Sequence, residues 1–423
     1  YYNTHPDFIK PDSRKNEMIN NFIKPGLQDL CVSRTSFTWG IPVDFDPKHV
    51  IYVWLDALTN YITNIGYDVD NPSDEFKKYW PADLHLIGKD IVRFHSIYWP
   101  CFLMSLDIPL PKQIFGHPWL LFGNDKMSKS KGNILYADDL VKEYGVDAVR
   151  YYVLHEIPYA NDGNLTNELL VERINSDLAN VLGNLVNRTV AMGNKYFEGK
   201  VINPSVSDDV DNVLISMINE LDKRVEVKMD TLEVGAALDE IFDLLRRSNK
   251  YIDETMPWVL AKENNHERLD RVLYNLVETI RIVGISLMPF MVETPKKIFE
   301  QIGVDEDLQA WDSSKTFGLL KEGTVVKKGE NLFQRIEVKK EQHKVEETKK
   351  VENKDNKENE KVQKNDYITI DDLSKVELKV GQILEVSRVE KSDKLYKLTV
   401  DIGSEKRTIV SGLVNYYKED ELL

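Results

Sequence analysis

The sequence predicts a multidomain chain: part of an α/β, Rossmann-type domain, then an α-helical bundle, then a partial β-barrel. Three observations carry that expectation. Short apolar runs with Pro and Gly punctuation fill residues 1 to about 120, helical periodicity takes over from Tyr136, and a charge-rich stretch precedes a final segment with period-two alternation. At 423 residues the chain is also too long for one average domain.

In the first part, "HVIYVWLDAL" (49–58) and "DLHLIGKD" (83–90) read as strands entering turns, and "PKQIFGHPWLLFGND" adds a third. With "DIVRFHSIYWPCFLMSL" as helix, this is the α/β order in which ligands sit at strand C-terminal ends. From Tyr136 to about Ile302, "NLTNELLVERINSDLANVLGNLVNRTVAMGNKYF", "DTLEVGAALDEIFDLLRRSNKYID" and "ERLDRVLYNLVETIRIVGISLMPFM" space apolar residues three and four apart, as in a bundle. Residues 337–366 are almost all Lys, Glu, Asn and Gln without an aromatic. Such a stretch buries too little apolar surface to offset ordering entropy, and is expected to be a disordered linker. Beyond it, "VELKVGQILEVSRVEKSDKLYKLTVDIGSEKRTIVSGL" alternates as short strands, and the chain stops at Leu423, too soon for a five-stranded barrel to close. The expected divisions are 1–135, 136–310, 311–366 (linker, largely disordered) and 367–423.

Net charge of -15, with 42% hydrophobic and 30% charged residues, fits a soluble globular protein and argues against bulk electrostatic grip on nucleic acid. It leaves room for a local, shape-reading RNA site. No apolar run approaches the roughly 18 residues of a membrane span, so no membrane partner is expected. "YYNTHPDF" is not a signal peptide. Cys31 and Cys101 lie far apart, cannot build a zinc site alone, and suit a reducing, cytoplasmic setting.

The densest chemistry is "GNDKMSKSKGN" (123–133), which gathers Lys126, Lys129 and Lys131 with Ser128 and Ser130 between Gly123 and Gly132. ATP chemistry needs cations that neutralise charge on the β- and γ-phosphates and donors that hold the oxygens. A lysine-serine loop supplies both, although taken alone it reads more readily as a solvated turn.

Set behind "HPWLLFG", the string Lys-Met-Ser-Lys-Ser resembles the signature loop of class I aminoacyl-tRNA synthetases. With "YVWLDALTNY" (52–61) and "GKDIVRFHSIYWP" (88–100) the chain resembles the methionyl-tRNA synthetase family over nearly its whole length. The resemblance implies activation of methionine by ATP, with Mg2+, to methionyl adenylate. The aminoacyl group then passes to the 3' end of tRNA(Met). It implies that Lys129, helped by Lys126, Ser128 and Ser130, stabilises the transferring phosphates, and that Gly88 and Asp90 hold the adenosine ribose. Trp54, Tyr61, His95 and Trp99 match the methionine pocket, with Asp56 taking the substrate amine. Physics agrees: a polarisable thioether gains from aromatic contacts and needs no charge to orient it. Leu58 departs from the family pattern, standing where many members have proline.

Taken as helix, 169–189 carries an apolar stripe of Leu170, Ile174, Leu178, Val181, Leu182 and Leu185, with Asn180, Asn184 and Arg188 about a quarter turn away. Two amides and a guanidinium suit base edges in a single-stranded loop, and Trp258 could stack a base. The resemblance makes these the readers of the CAU anticodon. The last segment resembles the tRNA-binding OB-fold of bacterial-type family members, with Lys391, Lys394, Lys397 and Arg407 facing the backbone and a possible homodimer role.

The family's His-Ile-Gly-His motif is not in this sequence, and its zinc-binding cysteines would lie upstream of Tyr1, so zinc would belong to a longer protein. The chain is therefore expected to be a piece that does not form methionyl adenylate by itself. Two rivals remain. A class I synthetase for valine, isoleucine or leucine carries a large editing insert that this stretch has no room for. A non-catalytic tRNA-binding module would use the bundle and the β-segment alone.

Overall fold

The computed structural model describes residues 1–122, 125–127, 134–157, 161–337, 380–389, 392–414 and 416–422. They fall into two compact units, Tyr1–Glu341 and Gln342–Leu423.

The first unit opens with β1 (Ile9–Lys10) and α1 (Asp12–Met18), followed by β2 (Ser33–Arg34), β3 (Pro42–Val43) and β4 (Asp46–Ile51). β4 pairs antiparallel with β2 and β3, forming a small sheet of its own. The run "HVI" (49–51) is thus the end of a strand, as its β-branched residues predict, but not one of the parallel sheet, and the turn expected after it is instead the start of a helix at Val53. A single strand's pattern does not say which partner it takes. Next come α2 (Val53–Thr63), α3 (Asp74–Tyr79), β5 (Leu84–Gly88), α4 (Trp99–Ser105) and β6 (Gln113–His117). β6 lies between β1 and β5, parallel to both. A π-helical turn, Phe94–Tyr98, leads directly into α4. Gly116 lets the segment before that turn lie close on β6: a Cβ there would sit 2.4 Å from Val92 Cγ2.

β7 (Leu120–Phe122) and β8 (Asp125–Lys126) form a hairpin, α5 (Ala137–Tyr144) and α6 (Val146–Glu156) follow, and β9 (Gly163–Leu165) returns to pair parallel with β7. This strand falls inside the stretch expected to be wholly helical. Three residues are too short to register against helical periodicity on both sides.

The helical layer comprises α7 (Asn167–Arg173), a π-helical stretch Ile174–Gly183, α8 (Asn184–Phe197), α9 (Asp209–Asp230), α10 (Val234–Thr255), α11 (Pro257–Lys262), α12 (His266–Leu287) and α13 (Thr294–Ile302). The apolar stripe expected here is buried at Leu170, Ile174, Leu178, Leu182 and Leu185, while Val181 is half-buried. α12 is the central post, with every residue from Val272 to Leu287 buried. Its Glu278 carboxylate takes Arg281 Nε at 2.8 Å and Nη2 at 2.7 Å, and accepts the Gly318 and Leu319 amides. Asp147, at the start of α6, ties the layer to the sheet side by accepting the backbone N–H groups of Val292, Glu293 and Thr294 and the Thr294 hydroxyl at 2.6–3.0 Å. Those bonds satisfy orphan donors at the start of α13.

Residues 311–337, expected from sequence to begin the linker, pack on this layer: Leu320 and Val326 are buried, and Ile336 exchanges two backbone hydrogen bonds with the Asn175 amide. Residues 338–366, the rest of that linker, lie outside the described residues.

The second unit is an antiparallel meander of β10 (Gln382–Arg388), β11 (Tyr396–Asp401) and β12 (Lys406–Ser411), in that order. Tyr396, Leu398 and Val400 alternate onto one buried face of β11, as period-two patterning requires.

Candidate active site

Four of the five residues expected to bind methionine converge. α2 follows the end of β4 and carries Trp54 and Tyr61; the π-turn carries His95; α4 begins with Trp99. Tyr61 Oη donates to His95 Nε2 at 2.9 Å, and His95 Nδ1 donates to the Ile91 carbonyl at 2.9 Å. Those two bonds fix the tautomer: hydrogen on Nδ1, lone pair on Nε2. His95 is only 2% exposed, and burial holds its ring below the usual imidazole range despite the opposing bond to Ile91. Trp54 stacks on Phe94 at 3.9 Å and meets His95 edge-on at 6.3 Å, while Tyr61 lies 6.1 Å from the buried Trp99. The result is an uncharged aromatic surface with one oriented hydroxyl–imidazole pair. Leu58 is fully buried in the cluster that holds Trp99, so the departure from proline is absorbed by core packing. Asp56, on the first turn of α2, is exposed.

The second constellation lies at the C-terminal ends of β5 and β6, where the α/β order locates ligand chemistry. Gly88, the last residue of β5, is in register with His117 on β6, and Asp90 follows in a short 3-10 turn. Lys126, on β8, sits 3.9 Å from Asp90. Both side chains are half-exposed or more, so the pair contributes little stability; its interest is that it brings Lys126 of the lysine-serine region beside Asp90, just past the end of β5. Trp119 is clasped by two ammonium groups, Lys89 at 4.0 Å and Lys126 at 3.8 Å from the ring centroid. Asp162 completes the cluster, accepting Lys89 Nζ at 2.7 Å and the Trp119 amide at 2.9 Å; the Lys89 bond holds its carboxyl below the ordinary range. Lys129, Ser128 and Ser130 lie outside the described residues.

The third set runs along the helical layer. Asn180 and Asn184 are exposed and Arg188 is half-buried. Asn180 falls in the π-helical stretch, and its Oδ1 accepts two N–H groups of Arg335, the Nε contact being 2.8 Å. Asn187 donates to Asn331 at 3.0 Å, so the 331–335 segment walls a polar concavity of about 640 Å³ beside Asn184. Arg188 donates to Asp253 at 3.0 Å, near the end of α10, and α11 then presents Trp258 at 48% exposure.

A family model described as "tRNA synthetases class I (M)" matches residues 1–190, and one described as "Anticodon binding domain of methionyl tRNA ligase" matches 203–351. A tRNA-binding-domain model matches 378–423. The chain is 57% identical, over 100% of its own length, to the "Methionine--tRNA ligase" of Caldanaerobacter subterraneus, and 53% identical to that of Clostridium acetobutylicum. The chain belongs to the methionyl-tRNA synthetase family. It spans 65% of the length of each of those two relatives. Among solved structures it is similar to Mycobacterium tuberculosis methionyl-tRNA synthetase in complex with methionyl-adenylate, with TM-score 0.74 and 43% identity, covering 79% of this chain and 65% of that one. The apo form of the same enzyme matches at TM-score 0.73 and 41% identity.

Within the methionyl-tRNA synthetase family frame, sequence reasoning missed His85, Lys89, Phe94, Trp119, Asp162 and Arg335. For two of them a signal was present. His85 is a polar residue on an otherwise apolar strand, and Phe94 sits one residue before His95. Asp162 and Arg335 had none, since their partners Lys89 and Asn180 lie 73 and 155 residues away in sequence.

Among the described residues no group of three or more His, Cys, Asp or Glu converges to hold a metal. Cys31 and Cys101 are each free and exposed. The residues present do not fit a zinc site. Nor is any helix among the described residues long and apolar enough to cross a membrane.

Proposed function

We propose that the protein containing these residues is a methionine--tRNA ligase. The observation that carries this reading is the pairing of an uncharged aromatic–imidazole pocket, built on Tyr61 and His95, with the Gly88–Asp90–Lys126 cluster at the strand ends.

In the first half-reaction the methionine carboxylate oxygen bonds to the α-phosphorus of Mg-ATP, and the α–β phosphoanhydride bond breaks to release pyrophosphate. Trp54, Tyr61, His95 and Trp99 hold the side chain without a charge, and Asp56 takes the ammonium. Asp90 accepts the ribose hydroxyls. Because Lys126 now neighbours Asp90, ribose entry competes with that ion pair and frees the ammonium for the phosphates, where Lys129, Ser128 and Ser130 join it. In the second half-reaction a terminal ribose hydroxyl of tRNA attacks the aminoacyl carbonyl and AMP leaves. Asn180, Asn184, Arg188 and Trp258 meet the anticodon, with Lys394, Lys397 and Arg407 of the C-terminal module adding backbone contacts. The working divisions are 1–135, 136–337 and 367–423, with 311–337 moved from the expected linker to the helical layer on which it packs; the setting is the cytoplasm, and the C-terminal module is the proposed dimer contact.

The test is methionine-dependent ATP–pyrophosphate exchange by the whole protein. Lys129→Ala is expected to abolish exchange while leaving tRNA affinity within about twofold. A protein that binds tRNA but shows no ATP or methionine dependence would be an RNA-binding module instead. Exchange driven by valine, isoleucine or leucine in place of methionine would move it to a sister synthetase.

A further inference from the structure

Two lysines meet the Trp119 ring at the strand ends, and the reaction above uses only Lys126. Lys89 and Asp90 are neighbours in the turn after β5, yet they take different partners. Lys89 Nζ donates to both carboxylate oxygens of Asp162 at 2.7 Å, whereas Asp90 lies 3.9 Å from Lys126. With the indole touching both ammonium groups, the contacts run Asp162, Lys89, Trp119, Lys126, Asp90. The two ends of that series differ. Lys89 and Asp162 keep 17% and 30% exposure and share a two-oxygen, charge-assisted contact, a geometry that holds. Lys126 and Asp90 are solvated and sit beyond hydrogen-bond distance, a contact that water or a ligand readily replaces.

Asp162 also fixes the platform on which Lys126 rests. Its Oδ1 accepts the Trp119 amide at 2.9 Å, and the amide of the next residue, Gly163, donates to the Trp119 carbonyl at 3.1 Å. Both backbone groups of Trp119 are therefore tied to the start of β9. Among the described residues Trp119 Nε1 is buried and makes no hydrogen bond, so no bond of the ring's own orients it. The backbone anchors and the Lys89 ammonium hold it instead. An ammonium within about 6 Å of an indole centroid is attracted to the ring, so the place of the ring sets the place of Lys126.

We propose that Asp162 is a positioning residue for the activation step: by holding Lys89 and the Trp119 backbone, it reserves Asp90 for the nucleotide and sets the Lys126 ammonium beside the phosphates. This rests on the methionine-activating reading and deepens it. Without the Asp162 charge, two ammonium groups share one ring and one remaining carboxylate of this cluster, Asp90. Lys89 then competes there both with Lys126 and with the ribose hydroxyls. Small misplacements of a group that stabilises transferring phosphates are costly, because the stabilisation depends on preorganised charge.

The experiment is pyrophosphate exchange by the whole protein carrying Asp162→Asn, which keeps an oxygen for the Trp119 amide and removes only the charge. The variant is expected to lower kcat/KM for ATP about tenfold, with the methionine KM within about twofold of the parent. Adding Lys89→Met removes the stranded ammonium and is expected to bring kcat/KM for ATP back to within about threefold of the parent. A purely structural role would not be rescued by a second loss. A folded Asn variant with unchanged kcat/KM for ATP overturns the proposal, as does a loss that Lys89→Met leaves in place. Should the Asn variant fail to fold, Trp119→Phe against Trp119→Leu reads the same platform. The Phe variant keeps a ring face and is expected to exceed the Leu variant about fivefold in kcat/KM for ATP; equal values overturn the proposal. Absence of methionine-dependent exchange in the unsubstituted protein would instead sink the synthetase reading itself.

Discussion

Tyr61 and His95 show how far a single hydrogen bond constrains this site. Replacing Tyr61 with Phe leaves the buried His95 Nε2 without its donor. A loss of about 1–1.5 kcal/mol is expected, read as a five- to tenfold rise in the methionine KM with the ATP KM unchanged. The buried rings also set a pH response. His85 stays neutral when folded, down to about 4, whereas the unfolded chain protonates it near the ordinary value of 6.5. Its folded pKa is therefore depressed, and its contribution to stability is complete above 6.5 and is lost as pH falls toward 4. That loss amounts to roughly 2–3 kcal/mol, with His95 acting in the same direction. Thermal melting between pH 7.5 and 4.5 should show a steeper decline for the parent protein than for His85→Leu; parallel curves would contradict a neutral, buried His85. Residues that lie together in one motif, such as Tyr61 seven places from Trp54 or Asp90 two places from Gly88, were legible in the sequence because local order brings them together. Lys89 was not, because its partner Asp162 arrives through β9, far along the chain.

At the scale of single elements, α12 separates what patterning can and cannot reveal. Its apolar spacing announced a helix. Its Asn275, Glu278, Thr279, Arg281 and Ser286 would ordinarily mark a solvated face, yet all five are fully buried. Periodicity cannot anticipate that 308–319 folds over this face and supplies the carbonyls of Leu308, Ser313 and Thr316 to Arg281 and the amides of Gly318 and Leu319 to Glu278. Both charges thus have partners enough to stay inside. Removing one strands the other: Glu278→Gln is expected to cost about 3–5 kcal/mol and to lower the melting temperature of the helical layer by about 10 °C, measured by circular dichroism. A shift below a couple of degrees would mean that Arg281 finds a new route to solvent.

At the scale of the molecule, the proposed chemistry and the proposed RNA contacts reside in different layers of the first unit, the sheet ends and the helix faces. Their losses should therefore be separable. Asn184→Ala and Trp258→Ala are each expected to weaken tRNA binding by about 1–3 kcal/mol and leave pyrophosphate exchange unchanged; exchange that fell in step with affinity would argue against the division. The order of layers was readable from the sequence because α/β, helical and period-two patterns differ over tens of residues. The strap at 331–337 was not, since nothing in "NLFQRIE" announces that Asn331 and Arg335 reach back to Asn187 and Asn180. The burial of α12 has one further consequence. A helix enclosed on every side from Val272 to Leu287 offers its amides no local route to water, so their deuterium uptake must wait for opening of the whole helical layer. Those sixteen positions should be the last in the chain to label, and their common rate would report the global stability of the layer that surrounds them.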